Sequence, residues 1–117
     1  HFSTPPTWVL CPESNRYISG IKPPVAMFRE MGAQIAIGTD SLASARHLSM
    51  VENMRLLGDI PLAELLTYAT LNGAKAIGIA DRKGSIEVGK RPGLAVISGV
   101  DFQTMRLTPE SESRRIL

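Results

Sequence analysis

Short apolar runs and helical repeats of apolar residues alternate along the first 80 residues of the chain. Residues 8–11 and 35–39 are predicted strands, and Pro12 begins a predicted polar loop that runs to Gly20. Between the strands, Pro23 and Pro24 open a predicted helix that ends at Met31. This order is typical of a βαβ unit, whose parallel strands end on the same side of the sheet.

Three helical segments are predicted in the middle of the chain. Ser49 and Glu52 have the spacing of a capping box before a helix that reaches about Leu57. A second helix begins at Pro61, and residues 70–77 form a third. Apolar residues recur at helical spacing in these segments, which favours their burial in a core. In the second helix the apolar residues are Leu62, Leu65, Leu66 and Ala69.

The pattern changes to a period of two after Gly84, where Ile86 and Val88 alternate with polar residues. Residues 89–90 are a predicted turn and residues 94–97 a predicted strand, so this part is expected to form a small β-hairpin. Residues 108–115 are polar and are predicted to be a turn or surface tail. A fold with only two parallel strands leaves sheet edges exposed, so the sequence indicates a piece of a larger fold.

Composition narrows the class of protein. The 117 residues are 44% hydrophobic, enough for the core of one α/β domain. The net charge is only +2 and the basic residues are scattered, which disfavours nucleic-acid binding. Cys11 is the single cysteine, and no apolar run is long enough to predict a signal peptide or a membrane span. These observations favour a soluble protein in the reducing cytoplasm.

Asp40 is the strongest candidate for a catalytic residue. It comes just after the apolar run that contains Ile35 and Ile37, so a buried strand would deliver its carboxylate to a loop at the sheet edge. The alternative is that Asp40 caps a turn by accepting hydrogen bonds from the backbone amides of Leu42 and Ala43. The local pattern leaves both interpretations open.

Four segments together resemble a known family. They are Cys11-Pro12-Glu13-Ser14-Asn15, residues 38–44 (GTDSLAS), residues 70–78 (TLNGAKAIG) and residues 84–90 (GSIEVGK). In this order they are similar to the C-terminal part of metal-dependent amidohydrolases, in the branch of chlorohydrolases and of aminohydrolases such as adenosylhomocysteine and guanine deaminases. The resemblance implies that residues 1–80 supply the last two strands and helices of a TIM barrel. Residues 81–117 would then supply part of a small β-sandwich.

The resemblance also implies roles for individual residues. Asp40 matches the carboxylate after the final barrel strand, which binds a divalent metal, Zn or Fe, and moves a proton from the attacking water. Asn15 follows the preceding strand, where family members place groups that face the substrate or brace the loop; an Asx turn is the alternative. Ser41 and His47 are substrate-side candidates because they lie in the loop after Asp40, and their alternatives are ordinary backbone hydrogen bonding and a solvated loop histidine. Cys11 is expected to be a small buried residue rather than a nucleophile.

The implied reaction is hydrolysis of a carbon–nitrogen or carbon–chlorine bond on a small ring substrate. Family members also need a His-x-His pair and two further histidines, whereas this chain has only His1 and His47, neither in a matching motif. Because one carboxylate cannot hold a catalytic metal tightly, the isolated chain is expected to be inactive and not to retain the metal. Alternatives are a hydantoinase-like or dihydroorotase-like cyclic amide hydrolase, and a non-catalytic module that self-associates into a homo-oligomer.

Overall fold

The computed structural model describes residues 3–117, and His1 and Phe2 lie outside that range. Helices and strands are mixed along the chain, as an α/β fold requires. In chain order the elements are β1 (Thr7–Leu10), α1 (Pro12–Ser19), α2 (Val25–Glu30), β2 (Gln34–Ile37), α3 (Met50–Leu56), α4 (Leu62–Ala69), α5 (Leu71–Ala76), β3 (Ala95–Asp101) and β4 (Arg106–Arg115).

The predicted parallel strand pair is confirmed. β1 and β2 are hydrogen-bonded neighbours, in a register that pairs Thr7 with Gln34 and Leu10 with Ile37. The amide of Gly38 continues the ladder by donating to the carbonyl oxygen of Leu10 at 2.9 Å. Both strands therefore end on the same side of the sheet, and the loops that follow them start next to each other.

The predicted loop after β1 is wrong, because Pro12 to Ser19 form helix α1. Pro12 occupies the first turn, where the missing N–H of proline has no cost, so it starts a helix here as well as ending a strand. Gly20 ends the helix in the left-handed region at φ 70°, and its amide donates to the carbonyl oxygen of Arg16 at 3.0 Å. The polar composition of this segment reflects a helix with a solvated face.

The helices pack against the parallel pair around one hydrophobic core. Ser49 caps α3 by accepting the amide of Glu52 at 3.2 Å, and Pro61 precedes α4, as predicted. In α4 the predicted apolar stripe is buried at Leu62 and Leu65, whereas Leu66 is 37% exposed. The core cluster comprises Leu10, Phe28, Ile35, Ile37, Met54, Leu57, Ile60, Leu62, Leu65 and Tyr68.

The hairpin near the C-terminus differs from the predicted one. Ile86 and Val88 are exposed and lie outside the strands, although residues 88–89 do form a turn. The partner of β3 is β4, which contains the segment predicted to be a tail. The strand was not predicted because its side chains are mostly polar. It is held by backbone pairing with β3 and by Ser111, whose hydroxyl donates to the Gly99 carbonyl oxygen at 2.8 Å. That contact lies at an irregularity of the register between Ser98 and Val100.

The hairpin is tied to the helices by polar contacts. The Arg55 guanidinium donates to the carbonyl oxygens of Thr108 and Pro109 at 3.0 and 2.8 Å. The amide of Leu62 donates to the carbonyl oxygen of Met105 at 3.4 Å. Among the described helices, whose longest members have eight residues, none could cross a membrane.

Candidate functional site

Asp40 lies in the loop after β2, and its side chain is exposed. Its backbone is in the left-handed region at φ 59°, which Asp adopts more readily than most residues. The carboxylate oxygen Oδ1 accepts the amide of Ser41 at 2.8 Å, and Oδ2 accepts the hydroxyl of Ser14 at 2.8 Å. The amide of Ala43 donates to Ser41 Oγ at 3.3 Å, so the capping alternative through Leu42 and Ala43 is wrong.

Two buried hydroxyl groups stand behind this carboxylate. Ser14 is 3% exposed in the first turn of α1, and Ser44 is 8% exposed in the loop after Asp40. Their oxygens are 2.9 Å apart. A serine hydroxyl has one proton to donate. If Ser14 donates it to Asp40, the contact between the two serines must be one in which Ser44 donates to Ser14. The two serines therefore form a short chain of hydrogen bonds that ends at Asp40.

Glu13 and Asn53 fasten the same loop to helices α1 and α3. Glu13 Oε1 accepts the amide of Arg46 at 2.8 Å, and the amide of Glu13 donates to Asn53 Oδ1 at 3.0 Å. Asn53, which is fully buried, in turn donates to the carbonyl oxygen of Ser49 at 2.9 Å. Glu13 is 4% exposed, and its Oε2 has no hydrogen-bond partner within residues 3–117. The loop that carries Asp40 is thus held at both ends by side-chain contacts.

A small cavity of about 120 Å³ adjoins this network. It is lined by Glu13, Arg16, Tyr17, Ser44 and Arg46. The lining combines the buried carboxylate of Glu13 and two guanidinium groups with the aromatic ring of Tyr17. The cavity shares Ser44 with the pair of hydroxyl groups behind Asp40, although Asp40 itself does not line it.

Cys11 lies half-buried beside Asp40, at the end of β1. Burial, followed by the negative charge of Asp40, raises the pKa of the Cys11 thiol. A raised pKa keeps the sulfur protonated at neutral pH, and a thiol is a much weaker nucleophile than a thiolate. The geometry supports the prediction that Cys11 is a packing residue.

The other predicted site residues have different surroundings. Ser41 is the direct neighbour of Asp40 and contacts it through its backbone amide. Asn15 is exposed within helix α1, and its backbone amide donates to the carbonyl oxygen of Cys11. Because the residue is part of a helix and not of a turn, the Asx-turn alternative is wrong. His47 is exposed in the loop before α3. No hydrogen bond joins Asp40 to Asn15 or His47 in the described part of the chain.

The sequence interpretation missed the supporting residues Glu13, Ser14 and Asn53. Pro12 was the available signal, because a helix that starts there places Glu13 and Ser14 in its first turn. Asn53 carried no comparable signal, since its partner Glu13 is 40 residues away along the chain.

The carboxylate is suited to bind a cation, although it cannot make a complete site. Each Asp40 oxygen accepts one hydrogen bond and keeps lone pairs for a further partner. Residues 3–117 contain no group of three or more His, Cys, Asp or Glu side chains arranged to hold a metal ion. A metal ion at Asp40 would therefore need further ligands besides those that residues 3–117 place there.

A carboxylate at the carboxyl end of a parallel strand, in a loop braced by helices, is where barrel enzymes of the α/β class place their chemistry. The chain belongs to the Amidohydrolase family, whose pattern matches residues 4–113. This confirms the resemblance that the four sequence segments predicted.

Similar proteins are deaminases. A 5-methylthioadenosine/S-adenosylhomocysteine deaminase from Moorella thermoacetica is 34% identical, over 87% of this chain and 26% of its own length. The structure of an adenosine deaminase from Xanthomonas campestris with bound zinc matches with a TM-score of 0.71 and 34% identity, over 86% of this chain and 26% of the other.

Another similar structure is that of Helicobacter pylori aminofutalosine deaminase in complex with methylthio-coformycin. It matches with a TM-score of 0.65 and 28% identity, over 93% of this chain and 31% of the other. The chain thus spans roughly a quarter to a third of the length of these relatives.

Proposed function

We propose that the whole protein, meaning this chain together with the remainder of a barrel, is a metal-dependent hydrolase that deaminates an adenine-type ring. The observation that carries the proposal is the exposed Asp40 carboxylate at the end of β2, held by a hydroxyl and an amide. The deaminase relatives, one of them with bound zinc, support this chemistry. They favour deamination over dechlorination of a ring.

In this proposal Asp40 has two tasks. Its carboxylate is one ligand of a divalent metal, Zn or Fe, and it takes a proton from the water that attacks the ring carbon. A bound divalent metal would lower the pKa of that water. Addition of water to the ring carbon and rupture of its bond to the amino nitrogen release ammonia, and Asp40 can return its proton to that leaving nitrogen. Asn15, Ser41 and His47 are proposed to face the substrate from the surrounding loops.

We also propose the placement of the chain in the larger fold. The parallel pair β1–β2 with its helices corresponds to the last two strands of the barrel, within residues 1–80. The antiparallel pair β3–β4 corresponds to part of the small sandwich, within residues 81–117. The parallel and antiparallel pairings of the two sheets support this division.

Two further expectations belong to the same proposal. The isolated chain is inactive and does not retain the metal, because Asp40 alone is a weak site. A cytoplasmic location stays a prediction from the sequence, in which Cys11 is the single cysteine. The two alternatives to this proposal stay predictions. An assay of hydantoin hydrolysis on the whole protein would check for a cyclic amide hydrolase, and light scattering would check for self-association.

The first prediction concerns Asp40→Asn in the whole protein, with Glu64→Gln as a matched control. Loss of the base should lower kcat for ammonia release from adenosine, 5-methylthioadenosine or S-adenosylhomocysteine by about 10²- to 10⁴-fold. Glu64 lies on α4 and pairs with Arg29, so its variant should keep the wild-type kcat. Wild-type turnover by the Asp40→Asn variant would contradict the proposed role.

A further inference from the structure

We propose that Ser14 is a positioning residue for Asp40: its hydroxyl fixes the orientation of the carboxylate, and Ser44 orients that hydroxyl in turn. The inference rests on the proposed function, because it assigns Ser14 a part in preparing Asp40 for a metal and a proton. Its starting point is the contact of 2.8 Å between Ser14 Oγ and Asp40 Oδ2.

The location of Ser14 makes this contact rigid. Ser14 is 3% exposed and lies in the first turn of α1, directly after Pro12 and Glu13. Glu13 is itself fastened to Asn53 on α3 and to the amide of Arg46 in the loop. The Ser14 hydroxyl therefore has a fixed position, and the Asp40 carboxylate takes the orientation in which Oδ2 accepts its hydrogen bond.

The direction of the hydrogen bonds follows from proton counting. Asp40 Oδ2 can only accept when the carboxylate is ionised, so Ser14 must donate to it. Ser44 Oγ then donates to Ser14 Oγ at 2.9 Å; its other acceptor, the carbonyl oxygen of Ser41, is 3.4 Å away. The shorter contact is the better hydrogen bond, so Ser44 favours the arrangement in which the Ser14 proton points at Asp40.

The result is a carboxylate held at both oxygens. Oδ1 is fixed by the amide of Ser41 and Oδ2 by Ser14, which sets the plane of the carboxylate although its residue is exposed. Lone pairs on both oxygens stay available for a cation or a proton. Both partners of Ser14 Oγ are side chains, whereas a serine that only stabilised a helix end or a turn would bond to backbone groups.

The test compares Ser14→Ala with Ser14→Thr and Ser44→Ala in the whole protein loaded with Zn²⁺. Groups that orient a metal ligand typically change activity or metal affinity by about 10- to 100-fold when removed. Ser14→Ala should therefore lower kcat by about that factor with KM unchanged, and should lower Zn²⁺ affinity in competition with a chelator. Ser14→Thr keeps the hydroxyl and should restore both quantities most of the way. Ser44→Ala should show a smaller loss of the same kind.

The outcomes separate this inference from the proposed function. Wild-type kcat and Zn²⁺ affinity in Ser14→Ala, beside a collapse in Asp40→Asn, would overturn the role of Ser14 alone. Wild-type turnover in Asp40→Asn would overturn the proposed function itself. If Ser14→Ala does not fold, Ser44→Ala decides: a lower kcat and Zn²⁺ affinity at an unchanged melting temperature supports the inference, and wild-type values overturn it.

Discussion

Two carboxylates of this chain are held in opposite ways. Glu64 on α4 accepts two hydrogen bonds from the Arg29 guanidinium, from Nε at 2.7 Å and from Nη2 at 2.8 Å. It also accepts a hydrogen bond from the hydroxyl of Tyr68. Asp40 accepts one hydroxyl and one backbone amide, and it forms no ion pair with a cationic side chain among residues 3–117. Glu64 is therefore neutralised by its own chain, whereas the negative charge of Asp40 is oriented and left for another partner.

The difference shows why only one of the two is a candidate for chemistry. A fork of two charge-assisted bonds uses the geometry of the carboxylate for structure. The hydrogen bonds from Arg29 lower the pKa of Glu64, so this group stays ionised well into the acidic range. Neutral donors hold Asp40 in place without cancelling its charge. The two serines behind Asp40, Ser14 and Ser44, are buried, while the Arg29 and Glu64 side chains are 38% and 33% exposed.

The largest stability effect should come from the buried support of the Asp40 loop. Asn53→Ala removes the acceptor of the Glu13 amide and the donor to the Ser49 carbonyl oxygen, and it leaves a cavity at a fully buried position. We expect the free energy of unfolding of the whole protein to fall by about 2–4 kcal/mol, measured by urea denaturation.

Asn72→Ala is the matched control for that substitution. Asn72 makes one side-chain bond, to the carbonyl oxygen of Ile35 at 2.7 Å, at a partly buried position. Its loss should lower the free energy of unfolding by about 1 kcal/mol. Equal destabilisation by the two variants would show that the Asp40 loop depends less on Asn53 than its contacts indicate.

A smaller, pH-dependent effect is expected at Tyr68. Burial, and then the hydrogen bond to Glu64, raises the pKa of Tyr68 to about 12 from an ordinary value of 10.0. A raised pKa means that the folded state favours the protonated phenol, so its contribution to stability is complete below pH 10 and disappears as the pH rises through about 12. Tyr68→Phe should lower the free energy of unfolding at pH 8 by about 1–2 kcal/mol.

The measurement is the difference in unfolding free energy between wild type and Tyr68→Phe at several pH values. This difference should shrink between pH 10 and pH 12, because the wild type loses the stabilisation from its protonated phenol in that range and Tyr68→Phe has no phenol to lose. A difference that stays constant over this range would contradict the raised pKa of Tyr68 in the folded protein.

The smallest effect should come from the ion pair between Arg29 and Glu64. Both side chains are about one-third exposed, and pairs of this kind contribute less than about 1 kcal/mol. A double-mutant cycle with Arg29→Gln and Glu64→Gln at neutral pH should give a coupling of that size. Since the pKa of Glu64 is lowered, the coupling should vanish only as the pH falls below the ordinary range of a glutamate. A coupling comparable to the effect of Asn53→Ala would contradict the contrast between the two regions.

The sequence predicted the elements whose signals are local. Ser49 before α3, Pro61 before α4 and the apolar residues of β2 all form the structures that their patterns indicate. The position of Asp40 after a buried strand followed from the same local reasoning. The errors occurred where one signal has two meanings: Pro12 ends a strand and also begins a helix, and the alternation around Ile86 belongs to an exposed loop.

Tertiary structure decided what the local pattern left open. The polar segment that contains Ser111 is a strand only because β3 supplies its partner groups, and polar composition says nothing about backbone pairing. The side-chain partner of Asp40 was likewise decided by the fold, since it is Ser14, a residue 26 positions earlier in the chain.

The sequence by itself thus indicated the family, the parallel strand pair and the helices α2 to α5, and it pointed to Asp40 as the candidate catalytic carboxylate. Only the tertiary structure decided how that carboxylate is oriented and by which groups. The physical reason is separation along the chain. Helix starts and buried strands depend on neighbouring residues, whereas the hydrogen bonds of Ser14, Glu13 and Asn53 join segments that are distant in sequence. Their geometry exists only once β1 and β2 lie side by side.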